Sequence, residues 1–175
     1  MRTPRLLLRP WSPEDAEALL PVLDANVAHI GPWIPAHVST PVPLPQLRER
    51  LANFSADFSA DRAYRYAVLS PDESRVLGEA DMFPRSSRGR VPLADADHVE
   101  LGYWIAADAT GQGFATEAVG ALVAAAEALP GMSHAEIRCS PANAPSAGVA
   151  RRLGFERAGV DGEVDVWRKS FRPSS

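Results

Sequence analysis

Three stretches of the chain carry residue types that could do chemistry. The first is Thr110-Gly111-Gln112-Gly113-Phe114-Ala115-Thr116. It follows an alternating strand, in which Val99, Leu101, Tyr103 and Ile105 share one face and Glu100, Gly102 and Trp104 the other. It leads into apolar residues at helical spacing: Ala115, Ala118, Val119, Leu122, Val123, Ala126 and Leu129. A helix that starts at two glycines presents free N–H groups at the positive end of its dipole, and glycine lets an anion approach that backbone closely. The spacing therefore predicts a phosphate cradle, although the same glycines also suit a turn whose needs are purely geometric. Two specific phosphate motifs are excluded. No Lys-Ser or Lys-Thr follows as a P-loop requires, and Thr116 stands where a dinucleotide fingerprint needs its third glycine. The second stretch runs from Asn143 to Ser146, an amide and a hydroxyl at the start of a short helix where both could satisfy free backbone donors. The third holds Trp33 and His37 in residues 31–45, which carry five prolines; exposed loop aromatics of this kind commonly contribute to binding.

The elements that must position these groups follow from periodicity. Residues 5–10 predict a strand closed by proline, and Ser12, Pro13, Glu14 and Asp15 open a helix with Ala16, Leu19, Leu20, Leu23 and Val27 as its apolar stripe. Residues 31–45 are too rich in proline for regular helix or central strand and read as a stiff loop. Leu47, Leu51, Phe54 and Phe58 mark a second helix, and residues 64–69 and 76–83 an antiparallel strand pair. Residues 84–97, polar and containing Arg85, Arg88, Arg90, Asp95 and Asp97, read as a solvated loop. Beyond the central helix, which Pro130 and Gly131 stop, the pattern gives a strand at 135–139 and a short helix at 145–153 ended by a left-handed Gly154. Two strands, 155–160 and 163–171, then surround Asp161-Gly162, and 172–175 form a frayed tail.

At 175 residues, 46% hydrophobic and 23% charged, the chain predicts one domain spanning 1–175 with a sizeable core. A net charge of −4 argues against a nucleic-acid partner. The single cysteine, Cys139, has no internal disulfide partner and is expected to be a small buried hydrophobe. Leu6 to Leu8 is too short an apolar run for a signal peptide or membrane span, so no membrane partner and a cytoplasmic location are expected. His29, His37, His98 and His134 show no helical metal-ligand spacing, and no metal site is predicted.

The glycine stretch resembles the acyl-CoA pyrophosphate loop of the GNAT acetyltransferases, Q/R-x-x-G-x-G/A: Gly113 and Ala115 match, while Thr110 replaces the usual Gln or Arg. The stretch from Asn143 through Ser146, Val149 and Leu153 to Gly154-Phe155 is similar to the N-x-x-S-x-x-V-x-x-x-L-G-F signature of the Rim-type branch, which acetylates ribosomal-protein N-termini. Leu6-Leu7-Leu8-Arg9-Pro10-Trp11 and Glu100-Leu101-Gly102-Tyr103-Trp104 resemble that branch too. The resemblance implies an α/β (α+β) GNAT fold: a mixed, mostly antiparallel sheet of six to seven strands flanked by about four helices, with strands four and five splayed for acyl-CoA. It implies acetyl-CoA as cosubstrate, no metal, and direct attack by an acceptor amine, either a protein N-terminus or a small molecule, in a monomer or homodimer. The cosubstrate would lie against Thr110 to Thr116, Asn143 and Ser146, with a backbone N–H near Tyr103, Trp104 or Ile105 polarising its thioester oxygen. Glu100 is then the expected general base, because it interrupts the apolar strand near the thioester, and Ser146 the expected proton donor to the departing thiolate. Many relatives carry a tyrosine acid four residues beyond that serine, where this chain has Ala150. Trp33 and His37 would shape the acceptor pocket. A catalytically silent acyl-CoA sensor and a GNAT-shaped interaction module are the alternatives.

Overall fold

The computed structural model describes residues 1–171; the expected tail at 172–175 lies outside them. The strands are β1 (Leu7–Pro10), β2 (Tyr64–Leu69), β3 (Val76–Ser86), β4 (Gly89–Arg90), β5 (His98–Ile105), β6 (His134–Cys139), β7 (Glu156–Asp161) and β8 (Val164–Ser170). The helices are α1 (Ala16–Ile30), α2 (Ala36–Ser39), α3 (Leu44–Ser59), α4 (Phe114–Glu127) and α5 (Ala144–Arg152). The sheet runs β1-β2-β3-β5-β6-β8-β7, with β4 paired to β3 beside this path. Its neighbours are antiparallel except β5 and β6. This is the expected mixed sheet, with the one-turn helix α2 and the two-residue strand β4 added.

Alternation sorts side chains between the two faces. Leu6, Leu8, Val68, Met82, Val99, Leu101 and Ile137 pack with Val119 and Leu122 of α4. Leu7, Trp11, Ala67, Leu69 and Trp104 pack with Leu19 and Leu23 of α1 and Leu47 and Leu51 of α3. Each leucine so buried contributes roughly 1.5–3 kcal/mol.

The single parallel pairing is short. β5 meets β6 at Val99–Ala135, Glu100–Glu136 and Leu101–Ile137, while β5 continues on its other edge against β3 as far as Ile105. Past Leu101 the two strands part, so the expected splay is present between β5 and β6.

Four local expectations need correction. Pro35 opens one helical turn, α2, inside the segment expected to be loop, because proline suits the start of a helix even where it forbids the interior. On α1 the stripe turns differently: Val27 is 49% exposed and Asn26 is buried in its stead, its Oδ1 accepting from Ala107 N at 2.8 Å and its Nδ2 donating to Val22 O at 2.7 Å. Pro13–Asp15 is a 3-10 turn ahead of α1, with Ser12 N donating to Asp15 Oδ2 at 2.8 Å. Residues 84–97 lie at the surface as expected, with none of 85–97 buried, but part of the segment is a hairpin and not a loop. β3 runs through to Ser86 and folds back as β4, and Arg90 lies 3.7 Å over the Phe83 ring centroid.

Candidate active site

The glycine turn delivers α4 with its first turn uncapped by any side chain. Gly111 and Gly113 have φ of +75° and +80°, a region that glycine enters without strain. A Cβ at Gly111 would meet nothing within 4 Å, and one at Gly113 would meet Arg5 Nη2 at 3.5 Å. The N–H groups of the first turn are thus left without a side-chain cap at the positive end of a 14-residue helix, beside two glycines that keep the turn open. Thr110 does not aim at this cradle, since its hydroxyl donates to Ala107 O at 2.8 Å. Arg5 stands beside the turn instead, donating to Gln112 O at 2.8 Å, lying 4.9 Å from the Phe114 ring centroid and ion-paired to Glu117 at 2.6 Å. Arg152 adds a second guanidinium, donating to Thr116 Oγ1 at 3.1 Å. Sequence reasoning missed both, because no local signal ties Arg5 to a turn more than a hundred residues away.

Where β5 and β6 part, a cavity of about 550 Å³ opens. Tyr103, Trp104, Ile105, Thr110, Ala115, Asn143 and Ser146 all line it, as do Glu100, Trp33 and His37. The parting leaves Gly102 to Ile105 without a strand partner on the β6 side. An extended acyl-pantetheine arm can pair with such an edge as a strand would. The open cradle, the flanking arginines and this edge together fit acyl-CoA.

On the α5 side, Asn143 caps the helix, accepting from Ser146 N at 3.2 Å. Ser146 Oγ lies 2.9 Å from the Tyr103 hydroxyl, which also donates to Ser146 O at 3.1 Å. Burial pushes the Tyr103 phenol up to about 12, so it keeps its proton at neutral pH. Two hydroxyls therefore meet at the parting, one of them on the β5 aromatic that from sequence alone reads most simply as core. Ala150 is fully buried. Cys139, buried as expected, lines the cavity with its thiol pushed upward by burial.

The opposite side of the cavity is charged. Glu100 is ion-paired to Arg85, to Arg138 at 3.6 Å and to Arg90 at 3.8 Å. Arg85 donates to Glu100 Oε2, while Arg90 and Arg138 stand farther off, so this carboxylate sits among three guanidinium groups. Beside it Arg65, Glu79 and Asp81 are all buried, and Arg65 donates to both carboxylates at 3.1 and 3.0 Å. Trp33 is 44% exposed at the mouth. His37 is held below the usual imidazole range by burial and by the nearby Arg65, Arg50 and Arg90, which keeps it neutral.

A second, polar cavity lies along β5 and β6, lined by Arg85, Arg88, Arg138, Arg168, His98 and His134. His98, His134 and Glu136 place ligand-type atoms within 4.8 Å of one another. Their spacing in sequence hid this, since adjacent parallel strands bring them together. Glu136 accepts from Arg168 at 2.7 Å and Arg138 at 3.2 Å, and guanidinium groups so placed oppose a metal cation. Among the described residues no helix is long and apolar enough to cross a membrane.

Comparison with known proteins agrees with this geometry. Residues 5–156 match the family described as Acetyltransferase (GNAT) domain. The chain is 27% identical over 158 residues to YdaF of Bacillus subtilis (strain 168), a protein named as a ribosomal N-acetyltransferase, covering 88% of this chain and 79% of that one. It superposes on the ribosomal-protein alpha-N-acetyltransferase RimL in complex with coenzyme A with a TM-score of 0.79 at 19% identity, covering 97% and 96% of the two chains. For a ribosomal-protein alanine acetyltransferase from Vibrio fischeri the TM-score is 0.79 at 19% identity, with 99% and 97% covered. Cradle, parted strands and family match together place this chain in the GNAT acetyltransferase family.

Proposed function

We propose that this protein transfers the acetyl group of acetyl-CoA to a primary amine by direct attack, with a polypeptide N-terminus in the cytoplasm as its acceptor. The parting of β5 from β6 supports this reading, because it opens one cavity with room for two substrates on its opposite sides. The cradle of Gly111 to Thr116, with Arg5 and Arg152, holds the pyrophosphate. The free edge at Tyr103 to Ile105 orients the arm and supplies a backbone N–H for the thioester oxygen. Ser146, with Tyr103 behind it, donates a proton to the departing thiolate. Trp33 and His37 frame the acceptor entrance, and the apolar Pro32, Ile34 and Val38 around them suit a chain end. RimL and the Vibrio fischeri protein, both named for acetylating ribosomal proteins, share the fold throughout.

Acetyl-CoA should raise the melting temperature, since a ligand selective for the native state stabilises it, and thiol release should be faster with N-terminal peptides than with polyamines or aminoglycosides. Stabilisation without thiol release across the whole amine panel would mark a silent acyl-CoA sensor. Absence of both would mark an interaction module.

A further inference from the structure

One face of β5 looks into the acceptor side of the cavity with Glu100, Gly102 and Trp104. Gly102 has no side chain, so it forms the floor. Across the ladder from it stands Asp81, so near that a Cβ at Gly102 would lie 3.5 Å from Asp81 Oδ2. Asp81 is 6% exposed and lines the cavity, with Oδ2 held by Arg65. When both buried carboxylates are ionised, Asp81 Oδ1 has no hydrogen-bond partner among the described residues.

Its surroundings fix its position. Glu79 is 2% exposed and accepts from Trp11 Nε1 at 2.7 Å and from Arg65 at 3.1 Å. The Arg65 guanidinium lies 4.4 and 4.9 Å from the Phe54 and Phe83 ring centroids. One buried cation thus faces two buried carboxylates, and the trio is one positive charge short of neutral. A buried unbalanced charge is costly unless something pairs with it. A proton does so, and so does an ammonium at the Gly102 floor.

We propose that Asp81 is the group that receives the acceptor's ammonium and takes its proton, with Glu79 and Arg65 holding it in place. This rests on the transferase reading above. In the productive state the Asp81 carboxylate takes one proton from R–NH3⁺, leaving R–NH2. The nitrogen lone pair forms the C–N bond, the C–S bond breaks, and the second amine proton passes through the Ser146 hydroxyl to the thiolate. Asp81 then returns its proton to solvent, so the products are the amide, free CoA thiol and one H⁺. Burial, then the neighbouring Glu79, raises Asp81 well above the usual carboxylate range, against the opposing pull of Arg65 and Arg90. That direction suits a group which must take a proton from an amine. The other charged or titratable groups lining the same cavity are Glu100 and Tyr103 on β5, Arg138 and Cys139 on β6, His29 on α1 and His37 on α2.

The test is the acid limb of kcat/KM. With wild-type enzyme and two peptide acceptors whose amine pKa values differ, an enzyme base gives an inflection that stays in place, whereas an amine deprotonated in solution gives one that moves with the peptide. Asp81→Asn should bind acetyl-CoA as wild type does and lose about 10²-fold in kcat near pH 6.5. It should also lose the fixed inflection and recover as pH rises, while Glu100→Gln keeps the inflection. A moving inflection in wild type, or an Asp81→Asn enzyme that keeps the fixed one, overturns the assignment. The wild-type measurement stands even if Asp81→Asn fails to fold. If wild type itself releases no thiol with any amine, the transferase reading has failed instead.

Discussion

The two sides of the β5–β6 opening are built from different materials. The donor side is mostly backbone: a glycine turn, the first turn of α4 and an unpaired strand edge, with Asn143 spent on capping a helix. The acceptor side is mostly side chains: Arg65, Glu79, Asp81, Arg85, Arg90 and Glu100, contributed by four strands and joined by ion pairs. A backbone site accepts a part common to every acyl-CoA and needs glycine and helix geometry alone. A side-chain site can be retuned residue by residue, which is what discrimination among amines requires.

This contrast predicts mutations that separate binding from chemistry. The largest effect on the donor side should come from the hydroxyl pair. Ser146→Ala should lower kcat about 10²-fold, or ~2.7 kcal/mol, and Tyr103→Phe about tenfold, both with acetyl-CoA affinity unchanged by calorimetry. If either variant chiefly weakens acetyl-CoA binding, the pair belongs to the cradle instead. Next, Gly113→Val should weaken acetyl-CoA at least tenfold, ~1.4 kcal/mol, because a β-branched residue is strained at φ +80° and its side chain would stand between phosphate and backbone. The fold should persist by circular dichroism.

The smallest expected effect concerns stability, and it falls on the acceptor side. The raised folded-state value of Asp81 means that its carboxyl favours the fold fully below the unfolded value near ~3.9, and that this contribution is lost as pH rises toward the folded value. Each unit of that rise costs about 1.4 kcal/mol. Asp81→Asn removes the dependence, so its melting temperature should gain on wild type as pH rises above about 4. A gap that does not change with pH would mean that Asp81 is not buried as an acid.

The same contrast decides what could be read from sequence. Gly111, Gly113 and the period of α4 lie in one continuous stretch, and so do Asn143 and Ser146, so their elements followed from local pattern, while the splayed sheet was implied by the family resemblance that those stretches carry. Arg5 could not be placed at the cradle, nor Asp81 beside Gly102, because those neighbours arise from strand order and register. Glu100 shows the limit most clearly. Its position interrupting an apolar strand was legible, but the three arginines that surround it come from β3, β4 and β6. Likewise Arg85 and Arg90 read as loop charges until the hairpin turned them onto β5.

Amide hydrogen exchange with and without acetyl-CoA tests this division most directly, since it reports opening free energies segment by segment. Acetyl-CoA should slow exchange at Gly102 to Ile105 and in the first turn of α4, and leave α1 and α3 almost unchanged. Protection centred on α1, α2 and the β3–β4 hairpin, with the α4 turn unaffected, would put the donor on the wrong side of the opening and contradict the assignment of both sites.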